Sequence, residues 1–527
     1  MNFSAKVFHA LGRWRLQRAA QAIARHAPRP RDTAAVVFFN ASTRIWGLSQ
    51  NAAFQLLTAW SLRLQGVPVV QFVCRRGMSR CILGTDPDAP DKAPPCAACQ
   101  RHSDRLYAGM PQVGFTFHPD QGLDAALRTL DVPALQTFAY QGVPLGQLVL
   151  PGLRWRLRRH NLNDDPGTRA VYRQFIRSAW QVAQDFTALL DRTAPQAVVL
   201  FNGQFFPEAT ARWLARRRGI RTITHEVGLR PLTAYFTTGQ ATAYPIAIPD
   251  DFALTPEQNA RLDAYLSRRF RGDFTMAGIR FWPEIRGLGE DFLRFASRFR
   301  QIVPVFTNVV FDTSQPHANV VFPHMFAWLD EVLALARRHP ETLFVLRAHP
   351  DEQRPGKAAR ESVRDWVRAR QADRLPNVRF VDSQEYLDSY DLIRRAKFVM
   401  VYNSTIGLEA VLLGKAVLCA GKARFTQYPI VFFPQSVAEF RRQAEDFLAA
   451  EAVPLPPAFR RQARRFLYYQ LYKVSLPFDA FLEEDPYQRG YVRLKPFAPR
   501  ALLPENSVTM AVLSEGILRR GEFVMPG

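Results

Sequence analysis

The 527-residue chain has no apolar run approaching the roughly 18 residues that cross a bilayer, so a membrane-spanning helix is not expected. It also lacks an RNP, KH or zinc-finger pattern and any compact platform of basic and aromatic residues, which argues against a nucleic-acid partner. Acidic side chains are missing from its start: Lys6, Arg13, Arg15, Arg18 and Arg25 all come before the first one. That stretch has neither the continuous apolar core nor the small-residue cleavage site of a secretory signal. Cysteine is scarce, with five residues, and without an export signal a reducing compartment is expected, where disulfides are disfavoured.

What the chain does contain is a packed, soluble composition, 47% hydrophobic and 22% charged. Its length exceeds what one hydrophobic core serves, which implies two domains of about 200 residues each plus extensions. Against 47 acidic residues stand 69 Lys and Arg, a net charge of +22, so anionic partners are expected: an anionic membrane surface or a phosphorylated substrate. Phe3, Val7, Leu11 and Trp14 recur at helical spacing, so residues 1–32 read as a basic amphipathic segment. It lies either on an anionic membrane or against the protein itself. Four of the cysteines, Cys74, Cys81, Cys96 and Cys99, fall within one 26-residue window and include a CxxC. A tetrahedral thiolate site for structural zinc is expected there, with an iron–sulfur cluster or four unligated thiols as alternatives.

From residue 33 short apolar runs alternate with longer amphipathic ones. AVVFF (35–39), VPVVQFV, AVVLF (197–201) and RTITHE (221–226) read as buried strands separated by helices. A second series starts after residue 300 with VPVFTNV, LFVLRA, VRFV, FVMVY and AVLCA. Strands that are apolar throughout and separated by helices are the pattern of parallel sheets covered on both faces. The expected division is a first Rossmann-like domain over 33–245, a linker over 246–300, a second Rossmann-like domain over 301–440 and a helical, then irregular, extension over 441–527.

Ligands bind open parallel sheets at the carboxyl ends of the strands, so the polar residues that follow strands directly are the candidates. They are Asn202, Gly203 and Gln204 after AVVLF; His225 and Glu226 at the end of RTITHE; His349, Pro350, Asp351 and Glu352 after LFVLRA; and Asn403, Ser404 and Thr405 after FVMVY. A helix beginning near Thr405 would turn unpaired N–H groups and its positive dipole end toward a phosphate, with Ser404 and Thr405 adding hydroxyls; one of them simply capping the helix is the alternative. Gly407 would keep the first turn thin, and Glu409 would either accept from ribose hydroxyls or stand in solvent. Pro350 turns the chain and offers the His349 imidazole to the same rim, with Arg347 on the same strand face. Glu226 beside His225 would serve as general base, or else pair with a nearby arginine such as Arg230.

HEVG (225–228), AHP (348–350) and NST (403–405), with HEVGLRP and STIGLEAVLLGKAVL around them, together resemble the bacterial capsule polysaccharide synthesis glycosyltransferases, Kdo transferases among them. The likeness covers roughly residues 195–435 and extends more distantly to sialyl- and polysialyltransferases. It implies the GT-B architecture, two Rossmann-like domains whose parallel sheets face each other across a cleft. It also implies that Glu226 is the base and that His349, Ser404 and Thr405 hold the phosphate of a nucleotide-sugar donor, CMP-linked donors included. Where sialyltransferases often carry two carboxylates, His225 and Val227 leave only one here.

The expected activity is inverting, metal-independent glycosyl transfer to a capsule, surface polysaccharide or glycolipid acceptor. The expected location is cytoplasmic and peripheral, at the inner face of the cell membrane. The alternatives are a sugar-nucleotide epimerase or polyol-phosphate transferase of the same architecture, and a non-catalytic basic protein that binds membrane or a polyanion.

Overall fold

The computed structural model describes residues 3–41, 47–86, 88–89, 92–272 and 287–527. The apolar runs form two separate sheets. In the first, the strands Val36–Asn40, Val69–Cys74, Gln112–Phe115, Ala197–Phe201 and Arg221–Val227 lie parallel in the spatial order third, second, first, fourth, fifth. Thr233–Thr237 folds back antiparallel on the fifth strand, and Leu476–Pro477 closes that edge. In the second, Gln301–Phe306, Thr342–Arg347, Val378–Val381, Val399–Val401 and Val417–Cys419 repeat the third, second, first, fourth, fifth order, all parallel.

Alternate residues of one strand enter different cores: Val36 and Phe38 pack on one face of the first sheet, Val37 and Phe39 on the other. Leu343 and Val345 are likewise separated from Phe344 and Leu346 in the second. Both sheets are therefore covered on both faces, which is why their strands read as solid apolar runs. The shared strand order is that of a doubly wound sheet, and the crevice where the order reverses opens between the first and fourth strands.

Two sequence-based boundaries change. The extension expected over 441–527 is not an appendage. Helix Val437–Ala449 completes the second domain with buried Phe440, Ala444 and Leu448, and helix Pro457–Tyr468 supplies buried Ala463, Phe466 and Leu467 to the core that holds Leu262 and Leu266. A π-helical turn at Tyr469–Lys473 then returns the chain to the first domain. There Leu476 joins the sheet edge, and Met510, Leu513 and Ile517 of helix Val508–Leu518 are buried in the same core as Leu57 and Trp60. The sequence concealed this because the returning strands are two to four residues long and interrupted by proline, too short to show a period. Of the expected linker, residues 273–286 lie outside the described residues. The portion before them is fixed to the second domain: Ile246 N–H donates to Gln427 Oε1 at 3.0 Å, and Ile248 N–H to the Tyr428 hydroxyl at 2.8 Å.

The amphipathic segment expected over 1–32 forms the helix Phe3–His26. Ala5, Leu16, Ala20 and Ile23 are buried, and Arg15 donates to Glu483 Oε1 at 2.8 Å. Packing against the protein is thus what one face of this helix does.

If residues 476–527 are integral to the first domain, replacing Leu513, 1% exposed, by Ala should lower stability by about 2–5 kcal/mol in chemical denaturation. A change under about 0.5 kcal/mol, typical of surface positions, would contradict that assignment.

Candidate active site

At the crevice of the first sheet the strand Ala197–Phe201 ends in two consecutive left-handed residues, Asn202 (φ 60°) and Gly203 (φ 78°). Glycine takes this conformation without penalty, and asparagine is among the few other residues that tolerate it. The Asn202 carbonyl oxygen Oδ1 accepts the Gln204 N–H at 3.0 Å, which fixes the side chain and leaves Nδ2 to donate to Glu226 Oε2 at 2.9 Å. Asn51 Nδ2 donates to the other oxygen of Glu226 at 3.3 Å, and the Val227 N–H does so at 2.9 Å. Burial raises the Glu226 carboxyl above its ordinary value; these three donors oppose the shift without cancelling it.

Glu226 lines a cavity of about 340 Å³ whose walls come from both domains: Asn40, Asn51, Asn202, Trp155 and Phe205 on one side, Thr313, Arg354 and Lys357 on the other. Asn202 Nδ2 lies 3.5 Å from Thr313 Oγ1 across the gap. The same cavity is lined by Glu208, in the first turn of helix Phe206–Arg217. That side chain is buried, its Oε2 has no hydrogen-bond partner, and desolvation pushes its carboxyl up to about 8. The chain therefore brings a second carboxyl to the cavity, though not beside Glu226, where His225 and Val227 stand. Glu208 lies seven residues past the strand Ala197–Phe201, inside a helix that reads as amphipathic, and nothing in its spacing marks it out.

At the crevice of the second sheet, four of the five strands send polar residues into one cavity of about 270 Å³. Asn308 follows the first strand, His349 the second, Asn403, Ser404 and Thr405 the fourth, and Lys422 and Arg424 the fifth. Asn308 Oδ1 accepts the Asn403 N–H at 3.2 Å, tying the first strand's end to the fourth's. His349 Nδ1 accepts the Asp351 N–H at 3.1 Å in the turn that Pro350 begins, and burial lowers its pKa, so the neutral ring carries its proton on Nε2. Thr405 stands at the N-cap of the helix Ile406–Leu412, but its side chain makes no capping hydrogen bond. The cationic wall of Lys422 and Arg424 was legible in principle: GKAR directly follows the strand AVLCA, and the strand-end rule extends to it. Asp312 lines this cavity as well, and its carboxylate lies within electrostatic reach of both His349 and Glu226. The loop Asn308–His317 also crosses to the first domain, where His317 Nε2 meets Thr242 Oγ1 at 2.9 Å and Gln204 Nε2 at 3.2 Å.

Several expected site residues lie elsewhere. His225 points to the opposite face of its strand from Glu226, as successive strand residues must. It is fully buried against Phe201 and Phe236 and desolvated to a pKa of about 3. Arg230 does not pair with Glu226: its Nε donates to the Leu471 carbonyl at 2.8 Å and its guanidinium lies over the Tyr472 ring. Arg347 is buried and bonded to the Asp382 carbonyl; the strand stops at Arg347, so its shared face with His349 does not persist. Gly407 admits neighbouring side chains, not a ligand: a Cβ there would stand 3.1 Å from both Phe425 and Val401. Glu409 meets neither solvent nor the cavity; it is buried with Arg269 and the Tyr390 hydroxyl, the latter at 2.7 Å.

The four clustered cysteines do converge, around a small separate cavity. Gly77 N–H donates to Cys74 Sγ at 3.2 Å and Gly84 N–H to Cys81 Sγ at 3.1 Å, while burial pushes these thiols up to about 12 and about 11. Among the described residues no three Cys, His, Asp or Glu side chains are grouped to hold an ion. Asp86 and Asp88, the Asp-x-Asp pair of this region, line neither cleft cavity, and Asp88 is bonded to Arg360.

Two doubly wound domains, each with a cavity at its crevice and walls shared across the gap, are the GT-B architecture. Residues 290–446 match the model of a family described as capsule polysaccharide biosynthesis protein, which bears out the resemblance read from the motifs. Protein FixF of Sinorhizobium fredii is 30% identical over 107 residues, 20% of this chain and 23% of that protein, so the match spans less than a quarter of the curated relative. Among solved structures, the KpsC beta Kdo 2,4 transferase of Thermosulfurimonas dismutans aligns at 13% identity over 58% of this chain and 87% of its own, with a TM-score of 0.36. A putative UDP-N-acetylglucosamine 2-epimerase from Listeria monocytogenes aligns at 10% identity over 83% and 95%, with a TM-score of 0.26. Likeness at this level leaves donor, acceptor and stereochemistry to be argued from the site itself.

The burial of Glu409 yields a direct test. Glu409→Ala strands the Arg269 guanidinium, 7% exposed, without its carboxylate and should cost about 3–5 kcal/mol in denaturant unfolding. Nucleotide affinity of the folded fraction should stay unchanged; a selective loss of affinity would restore the ribose-binding role expected from sequence.

Proposed function

We propose that the protein is an inverting glycosyltransferase that moves a sugar from a nucleotide-activated donor to a saccharide or glycolipid acceptor of capsule synthesis. The observation that carries this reading is the pairing of the two cavities. Glu226 stands at one crevice, and a phosphate-sized set of donors at the other: His349 Nε2–H, the Ser404 and Thr405 hydroxyls, Lys422 and Arg424. In the reaction, Glu226 takes the proton of an acceptor hydroxyl while that oxygen attacks the anomeric carbon. The bond from that carbon to the nucleotide phosphate oxygen breaks, and its electron pair leaves on the phosphate. Preorganised donors facing the place where this charge develops supply the stabilisation. Glu208, protonated at neutral pH, donates a hydrogen bond to the acceptor.

The two carboxyls act in opposite protonation states, and the signs are separable. Glu226 works ionised, so turnover should fall as pH drops through its raised value, above the ordinary carboxylate range of about 4.3. Glu208 works neutral, so turnover should fall again as pH rises through about 8. The other charged and titratable groups round this cavity are Arg354, Lys357, Arg489 and Tyr107, with Arg212 one turn further along the Glu208 helix. Glu226→Gln should lower turnover by about a hundredfold or more. It should not unfold the protein: a carboxyl raised by folding favours the native state below its unfolded pKa, and loses that contribution as pH rises through the folded value. Glu208→Gln should keep activity and lose only the alkaline limb. Full turnover in Glu226→Gln would remove the proposed base.

For the donor side, CMP, UDP, GDP and CDP added to the protein should raise its melting temperature selectively for the nucleotide of the true donor. His349→Ala and Lys422→Ala should each weaken that shift. An undiminished shift in both variants would place the nucleotide elsewhere.

A further inference from the structure

Helix Phe3–His26 has apolar residues on two opposite sides. The inner side, Ala5, Leu16, Ala20 and Ile23, is buried in the first domain. Val7, Leu11 and Trp14, spaced by four and three residues, form a ridge on the far side, 51%, 38% and 52% exposed. One such exposed side chain needs no explanation, but three aligned along a single helix do.

The flanks of the ridge indicate what covers it. Lys6, Arg13, Arg18 and Arg25 are exposed on the same helix, and the Arg18 guanidinium lies over the Trp14 ring at 5.1 Å. No acidic residue occurs before Asp32, so the outward side of this helix carries positive charge alone. A ridge of aliphatic and indole side chains bordered by cations matches the boundary between acyl chains and anionic headgroups. A second copy seated on this side would instead set like charges against each other.

We infer that Val7, Leu11 and Trp14, with their flanking cations, seat the protein on an anionic lipid bilayer, the outer side of helix Phe3–His26 entering the headgroup region while the inner side stays fixed to the first domain. The helix is already folded and anchored, so docking orders no new segment. The inference stands apart from the transfer reaction and does not depend on the role of Glu226.

Co-sedimentation of the full chain with vesicles tests it. Vesicles of equal parts phosphatidylglycerol and phosphatidylcholine should bind the protein, and pure phosphatidylcholine should bind it at least about tenfold more weakly. The combined variant Val7→Ser, Leu11→Ser, Trp14→Ser should lose about tenfold or more of the binding to anionic vesicles. Its melting temperature and its nucleotide-induced shift should match the wild type, because none of the three side chains is buried. A second variant, Lys6→Gln, Arg13→Gln, Arg18→Gln, Arg25→Gln, should lose the preference for anionic lipid. Unchanged vesicle binding in the Ser variant would overturn the inference. So would sedimentation velocity showing a dimer in the wild type and a monomer in the Ser variant, because the ridge would then be covered by a second copy.

Discussion

A parallel strand buried on both faces has no room for chemistry along its length, so every polar group that can act has to stand where a strand ends. Both sheets obey this constraint in the same order, and each therefore offers one place where neighbouring strand ends diverge. Glu226 and Asn202 occupy one such place, His349 and Ser404 the other. The candidate site is the meeting of two crevices: a carboxyl raised by burial stands on one side, and the His349 ring, the Ser404 and Thr405 hydroxyls, Lys422 and Arg424 stand on the other.

The two crevices are useful only if held opposite each other, and the chain secures this in several places. The loop Asn308–His317 leaves the first strand of the second sheet and touches Asn202, Gln204 and Thr242 of the first domain. Gln427 grips the backbone at Tyr244 and Ile246, and Arg424 lies over the Tyr244 ring at 3.9 Å while its residue also lines the donor cavity. At another edge Glu361 accepts the N–H groups of His160 and Asn161 at 2.8 and 2.9 Å. The returning C-terminal segment adds a covalent tie, because residues 476–527 belong to the first domain although they follow the second in sequence.

Strand-end reasoning led to Glu226, Asn202, His349, Asn403, Ser404 and Thr405, and the structure places all six on the two cavities at the crevices. It failed where a residue's direction mattered more than its position. His225 and Glu226 are adjacent, and the pleat sends them to opposite faces. Arg347 and His349 share a parity that holds only inside a strand, and the strand ends between them. Gly407 and Glu409 lie on a helix whose inner side is fixed by Val401, Phe425 and Arg269, residues that no local pattern brings together. Glu208 was hidden for the converse reason: an acidic residue in the first turn of a helix is ordinary, and only the tertiary fold closes a cavity over it.

The burial that makes Glu226 a stronger base also penalises its ionised form, and the cavity resolves this conflict by geometry. Three N–H donors are aimed at the carboxylate, so it can ionise without a cationic partner. A cation at that point would lower the pKa and weaken the base. Arg354, Lys357 and Arg489 line the same cavity, and Arg230, the arginine closest in sequence, is held by the Leu471 carbonyl. Asp312 adds a like charge at longer range, which favours proton uptake by Glu226 and draws the His349 ring toward protonation against its burial. One carboxylate between the two crevices thus biases both of them toward holding a proton.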